Sequence, residues 1–290
     1  MKAPLKDKGL FVQLLVLVAL MIVSAGVFII GFTLIFKTGY SINGLKALQV
    51  IQTIAVFCLP CVACAFLFSQ TPATYLSLNK HAGLKSSIAV ILTMLLAQPA
   101  INLVGHLNEQ IALPESLSAL EQMLKEMEDN TRLLLEKFMQ TDNIGGLIVN
   151  LFVIAALPAF AEELCFRGTL QQMFSRHGSA VVAIWACAIL FSAAHFQFYG
   201  FVPRMLIGAF LGYLLLWSGS LWLPVIAHLT NNATIVILYY VFQQKKLSTE
   251  MLDSLGTGET LWLGISCLVL VIPAVYLCRR IIKSEHSQTA

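Results

Sequence analysis

Six residues carry side chains that could do chemistry together: Glu162, Glu163, Arg167, His195, His228 and Asn232. The first three lie in Pro158-Ala-Phe-Ala-Glu162-Glu163-Leu-Cys-Phe-Arg167-Gly168, two adjacent acids and an arginine inside a long apolar run. A charged side chain at the bilayer centre costs on the order of several kcal/mol, so an acid there reads as functional. Two neighbouring carboxyls also resist ionising together. On a helix Glu163 and Arg167 stand at i, i+4, the spacing of an ion pair. That pair leaves Glu162 as the carboxylate free for chemistry. The competing reading is an ion-pair staple between helices.

Four more polar residues are out of place in lipid: His195 in Phe191-Ser-Ala-Ala-His195, and His228, Asn231 and Asn232 in His228-Leu-Thr-Asn231-Asn232. Singly, each could be an interhelical hydrogen-bonding group. His228 and Asn232, at i, i+4, share one helix face. Glu162 and His195 lie nearly symmetrically about Gly178-Ser179, each about 16–17 positions away. If the helices on either side form an antiparallel hairpin, both residues sit about 25 Å along them, at one level. His228, midway along a later helix, falls within roughly two turns of that level. Such a set supports hydrolysis. Glu162 would deprotonate a water that His195 holds and whose proton it shuttles. The Nε–H of His228 and the amide of Asn232 would donate to the oxyanion of a tetrahedral intermediate. No serine or cysteine is paired with a base in the same way.

The composition says what must position these groups. The chain has 290 residues, 58% hydrophobic and 11% charged, with a mean hydropathy of +0.81. That is the composition of an all-α polytopic membrane protein. The short alternating segments of an outer-membrane barrel are missing. A net charge of +3 spread over loops does not suggest nucleic acid. All seven cysteines fall in apolar segments, and Cys58-x-x-Cys61-x-x-Cys64 has no His or further Cys near it in sequence, so packing thiols are expected.

Eight transmembrane helices are expected, at about 10–36, 48–69, 86–107, 146–176, 179–198, 203–217, 222–242 and 260–282, with a polar turn at Gly39 to Lys46. Lys2, Lys6 and Lys8 precede the first, which is too long for a signal-peptide core. Asn102 and His106 read as the third helix reaching water. Residues 108–143 are the one extended hydrophilic region, acidic in balance. Ser118-Ala-Leu-Glu121 has the form of a capping box. Leu117, Leu120, Leu124 and Met127, then Leu134 and Phe138, recur at helical spacing. One or two amphipathic helices are expected there, on the bilayer surface or over the membrane domain, as a solvated cap or a substrate lid. Three regions follow: 1–107 with three helices, the acidic loop 108–143, and 144–290 with five helices and the reactive residues. An even span count puts both termini on one side. The basic residues, with Lys80, Lys85, Arg176, Arg279, Arg280 and Lys283 on that side and Lys37, Lys46, Lys125, Arg132, Lys137, Arg204, Lys245 and Lys246 opposite, place it in the cytoplasm.

With those residues in view, Glu162-Glu163-x-x-x-Arg167, Phe191-x-x-x-His195 and His228-x-x-x-Asn232 resemble, in order and setting, the motifs of the CPBP family of intramembrane proteases. These are relatives of the CAAX prenyl-protein endopeptidases and of bacteriocin-processing and immunity proteins. The resemblance covers residues 146–242. It implies an eight-helix fold and a glutamate-dependent endopeptidase, with Glu162 and His195 activating water, His228 and Asn232 as oxyanion hole, and Arg167 bracing the acids. It implies no cofactor, a peptide or protein substrate at the membrane, the lipid bilayer as surroundings, and a bacterial cytoplasmic membrane as location. Peptide precursors or membrane-proximal protein tails suit a bacterial setting better than prenylated proteins. Three alternatives stay open. Glu162, Glu163, His195 and His228 are permissible zinc ligands for a metalloprotease, although no His-Glu-x-x-His occurs. A non-catalytic immunity or binding protein would use the polar pocket without hydrolysis. A proton-coupled transporter also gathers acids and histidines, but no repeat relates the two halves.

Overall fold

The structure, a computed structural model, describes residues 3–35 and 41–289. Lys2, Lys37 and Gly39, which enter the charge balance and the first turn above, lie outside the described residues. Nine helices organise the rest: α1 (Leu10–Ile35), α2 (Ile42–Phe68), α3 (Leu84–Glu109), α4 (Ser118–Met139), α5 (Ile144–His177), α6 (Ala180–Ala193), α7 (Phe201–Ser218), α8 (Trp222–Gln244) and α9 (Leu261–Thr289). Seven of them are long and apolar enough to cross a membrane, and α6 is a shorter apolar helix of 14 residues. No strand occurs among the described residues. The chain is an all-α polytopic membrane protein.

Proline shapes two of the long helices. In α2 a π-helical segment, Ile54–Cys58, ends just before Pro60, and in α5 another, Leu151–Ala156, ends just before Pro158. A proline removes one intrahelical donor and crowds the carbonyl four residues back, and a widened turn relieves both without breaking the helix. A second π-helical segment in α5, Phe166–Gln171, follows the acids and contains Arg167.

The helices nest around α5. α6 returns against α7, α9 lies along α3, and α8 packs between α3 and α5. Contact between α5 and α7 is close because α7 carries glycine at both crossing points. Arg167 Nη2 donates to the carbonyl of Gly208 at 2.8 Å, and Gln171 Nε2 donates to that of Gly212 at 3.0 Å. A Cβ on Gly208 would lie 3.2 Å from that same Nη2 and 3.3 Å from Cα of Ala188. Two rungs, four residues apart on each helix, thus lock α5 to α7.

Several local expectations need correction. Lys46 is not in a turn: Ser41 caps α2, accepting from the backbone N–H of Gly44, so Lys46 is helical and buried. Its Nζ donates to Asn150 Oδ1 at 2.6 Å, because an ammonium withdrawn from water needs an acceptor. Of the one or two amphipathic helices expected over 108–143, one forms, Ser118–Met139. The capping box does not form: a 3₁₀ turn at Glu115–Leu117 precedes α4, and Glu121 instead accepts from Lys125 Nζ at 2.7 Å. Asn102 is tied down by donating to the carbonyls of Leu252 and Leu255. The apolar stripe of α4 points largely away from the protein, with Leu117, Leu120, Met127 and Leu134 exposed, while Phe138 and Met139 are buried.

Candidate active site

The site forms where α5, α8 and the turn after α6 meet. Glu163 and Arg167, both 0% exposed, pair at 2.9 Å between Oε1 and Nη1. A second donor reaches the same oxygen, His228 Nδ1 at 2.8 Å. One buried carboxylate therefore joins the acid motif on α5 to the histidine motif on α8. Phe191 packs in the middle of this group. Its ring lies 4.6 Å from the guanidinium carbon of Arg167 and meets both imidazoles edge-on, with centroids 5.1 Å from His195 and 5.7 Å from His228. A flat aromatic face suits the cation, and its edges fix the two rings.

Glu162 faces the other way, into a cavity of about 400 Å³ that it shares with His195, Arg204, His228, Asn231 and Asn232. Its Oε2 is buried and accepts no hydrogen bond from the protein. Nε2 of His195 is 4.0 Å from it and Nε2 of His228 is 3.9 Å. Those separations are too long for direct hydrogen bonds and are the kind one water molecule bridges. Glu162 and His195 keep partial access, 19% and 33% exposed.

The ring orientations fix what each histidine offers. Nδ1 of His195 lies 2.9 Å from the carbonyl of Phe191, which can only accept, so the proton is on Nδ1. Neutral His195 then turns a lone pair on Nε2 toward Glu162. Nδ1 of His228 meets an oxygen already bonded to Arg167, so it too is a donor. Its Nε2 bears a proton when the ring is an imidazolium.

His195 does not sit on a helix, as its spacing suggested. α6 ends at Ala193, and the chain leaves through a turn in which Phe196 takes φ +54°. Asn108, at the end of α3, holds this connection: its Nδ2 donates to the carbonyl of Phe198 and its Oδ1 accepts from the N–H of Val202. Asn232 is also held from outside its motif. Gln98 Nε2 donates to Asn231 Oδ1 at 3.0 Å, and Asn231 Nδ2 donates to Asn232 Oδ1 at 3.3 Å, which leaves the Asn232 amide N–H groups for the cavity. All six residues singled out by spacing are therefore brought together.

Spacing alone missed Gln98, Asn108 and Arg204, the role of Asn231 in holding Asn232, and also the part played by α4. Leu135 and Met139 of α4 line the cavity wall. The carbonyl of Met139 accepts from Asn150, which Lys46 in turn holds. Further along α4, Glu128 accepts from the N–H of Tyr199, and burial pushes its carboxyl above the usual carboxylate range. The seven cysteines are all free thiols. Among the described residues, no group of three or more His, Cys, Asp or Glu side chains has the arrangement of a metal site.

A stretch of 90 residues is 31% identical to the uncharacterized protein YpbD of Bacillus subtilis, covering 30% of this chain and 43% of that one, so the similarity spans less than half of the relative's length. No solved structure matches. Residues 144–234, which hold all six of the converging side chains, match the family described as type II CAAX prenyl endopeptidase Rce1-like.

Proposed function

We propose that the protein is an intramembrane endopeptidase that hydrolyses peptide bonds of membrane-associated peptides or proteins, with Glu162 as general base. The observation that carries this reading is the buried Oε2 of Glu162, without a protein partner and facing Nε2 of both histidines across 4.0 and 3.9 Å. Glu163 is sealed in the protein, its Oε1 bonded to Arg167 and His228 and its Oε2 buried without a partner, whereas its neighbour Glu162 is aimed into a cavity that also holds His195, His228 and Asn232.

The set holds a base and a proton donor together: Glu162 as the carboxylate, and His228, whose Nδ1 is given to Glu163, through Nε2–H. A water between Glu162 and His195 gives a proton to Oε2 of Glu162 as its oxygen bonds to the substrate carbonyl carbon. The carbonyl π electrons move to oxygen, and that oxyanion accepts from Nε2–H of His228 and Nδ2–H of Asn232. The C–N bond then breaks, and the proton on Glu162 passes to the leaving amine, directly or through Nε2 of His195. A carboxylic acid and an amine leave, and Glu162 is again a carboxylate. Glu163 and Arg167 are positioning residues: Glu163 holds the His228 ring and supplies its counter-charge, and Arg167 holds Glu163.

The family points to a CAAX-type substrate setting, an acceptor peptide near the membrane. A bacterial cytoplasmic membrane, with α4 on its outer face as a wall or lid of the cavity, completes the reading. The test is cleavage of membrane-anchored peptides by protein purified into lipid nanodiscs, with products identified by mass spectrometry. Wild type should cut. Glu162→Gln should not, at an unchanged melting temperature. Equal cleavage by both would transfer the base role elsewhere.

A further inference from the structure

Arg204 is unused by the mechanism above, and its surroundings single it out. It lies in the first turn of α7 and reaches back over Gly200, where a Cβ would stand 2.9 Å from its Nη2. Nη2 donates to Gln197 Oε1 at 2.6 Å. Nη1 is buried and has no hydrogen-bond partner. A guanidinium donor without a partner is costly to bury, so its retention calls for a ligand.

The position says which one. Arg204, with Ile101, Leu135, Gly200 and Pro203, lines both the catalytic cavity and a neighbouring vestibule of about 750 Å³. It stands at the throat between them. The vestibule wall is mixed in charge, with Glu109, Glu128 and Asp129 against Lys125 and Arg132. Two carboxylates act on Arg204 through space, Glu128 and Glu162. Neither satisfies Nη1: Glu128 accepts from the N–H of Tyr199, and Glu162 faces the histidines. A guanidinium edge matches a carboxylate in shape and charge. With two acids already in its field, a monoanion suits it better than a phosphate dianion.

We infer that Arg204 is a specificity-determining residue: its free Nη1 binds a carboxylate of the substrate as the peptide passes from the vestibule to Glu162. This rests on the hydrolytic reading of the site. The carboxylate has two sources, an Asp or Glu side chain or the peptide's C-terminus, and both present the same chemistry.

The experiment uses full-length protein in nanodiscs and one cleavable peptide in four forms: with Glu or Gln near the cut, each with a free or amidated C-terminus. Wild type should favour one acid form over its neutral counterpart by about 10–100-fold in kcat/KM, mostly through KM, as expected for a hydrogen bond to a charged group. The form that shows the preference names the source. In Arg204→Gln the ratio should fall to near one. Arg204→Lys should keep part of it, because it retains the charge and loses the fork. No preference in wild type, or a loss in Arg204→Gln that is equal for all four peptides, would overturn the assignment. If Arg204→Gln fails to fold, Gly200→Ala, which crowds the guanidinium end, should lower the same ratio; an unchanged ratio in folded Gly200→Ala and Arg204→Lys would count against it.

Binding of the four peptides to Glu162→Gln protein, read by fluorescence anisotropy, separates the two ideas. If wild type cuts nothing but binding keeps an Arg204-dependent preference, hydrolysis falls and the carboxylate site stands. Cleavage without any preference leaves hydrolysis standing and ends the carboxylate site.

Discussion

Oε1 of Glu163 accepts from Arg167 Nη1 at 2.9 Å and from His228 Nδ1 at 2.8 Å, so one buried oxygen fixes the imidazole of a helix 65 positions away. The acid next to it, Glu162, is thereby relieved of any bracing duty. Adjacent residues on one helix turn end up with different tasks because one faces α7 and α8 and the other faces the cavity.

Glu163→Ala should therefore damage the fold first. Removing one partner of a buried, hydrogen-bonded charge set typically costs about 3–5 kcal/mol. A lowered melting temperature is expected, shared by Arg167→Ala. Glu163→Gln keeps the shape but removes the counter-charge of the His228 imidazolium, so kcat should fall more than stability does. Thermal unfolding in nanodiscs beside peptide kinetics reads both, and full activity in Glu163→Gln would refute the role given to His228.

Glu162→Gln should behave in the opposite way. It removes the base without disturbing a bonded pair, so the protein should fold as the parent does. A positioned general base contributes about 10²–10⁴-fold, and at least that loss in kcat is expected. His195→Ala should lose activity as well, because the attacking water loses its second contact.

Asn232→Ala removes a donor felt mainly in the transition state. A loss of about 10²–10³ in kcat with little change in KM is expected. Gln98→Ala, two hydrogen bonds away, should show a smaller loss of the same kind, since it only orients Asn231 and through it Asn232. A change confined to KM in Asn232→Ala would place that amide on bound substrate rather than on the oxyanion.

Chelation tests the zinc alternative directly. Wild-type cleavage should be unaffected by a strong chelator, and metal analysis should find no stoichiometric zinc. Zinc present at one per chain and lost in both His195→Ala and His228→Ala would replace the glutamate mechanism by a metal-bound water.

Membrane topology is a fifth test. Single cysteines placed in a cysteine-free background at residues 3–8 and 283–287 should label from one side of the membrane, and those at 118–134 from the other. Termini labelled from opposite sides would be incompatible with eight crossings, α6 included.

The motif residues were legible in the sequence because lipid makes them conspicuous: a carboxylate, a histidine or an asparagine in an apolar run has no solvent to satisfy it. The i, i+4 spacing of Glu163 with Arg167 and of His228 with Asn232 is a local helical property, and the helix count follows from apolar length. The broken course of α5 was less legible, although Pro158 marks one of its two widened turns. What lay beyond sequence was every partnership between distant segments. Asn108 reads as the first residue of the hydrophilic loop and instead clamps the connection carrying His195. Lys46 reads as a loop cation and instead sits buried on Asn150. Arg204 reads as one more basic residue at the start of the sixth span and instead lines the throat of the cavity. Ser118 and Glu121 satisfy a local capping pattern, yet Lys125 and the approach of Tyr199 claim Glu121. Residue type and helical period thus determined which groups could react and on which face of each helix they stand. Only the packing of α3, α4 and α7 against that core decided which polar atoms are satisfied and which, like Oε2 of Glu162 and Nη1 of Arg204, remain open, because a hydrogen bond between segments far apart in sequence exists only once tertiary contacts bring its two ends within reach.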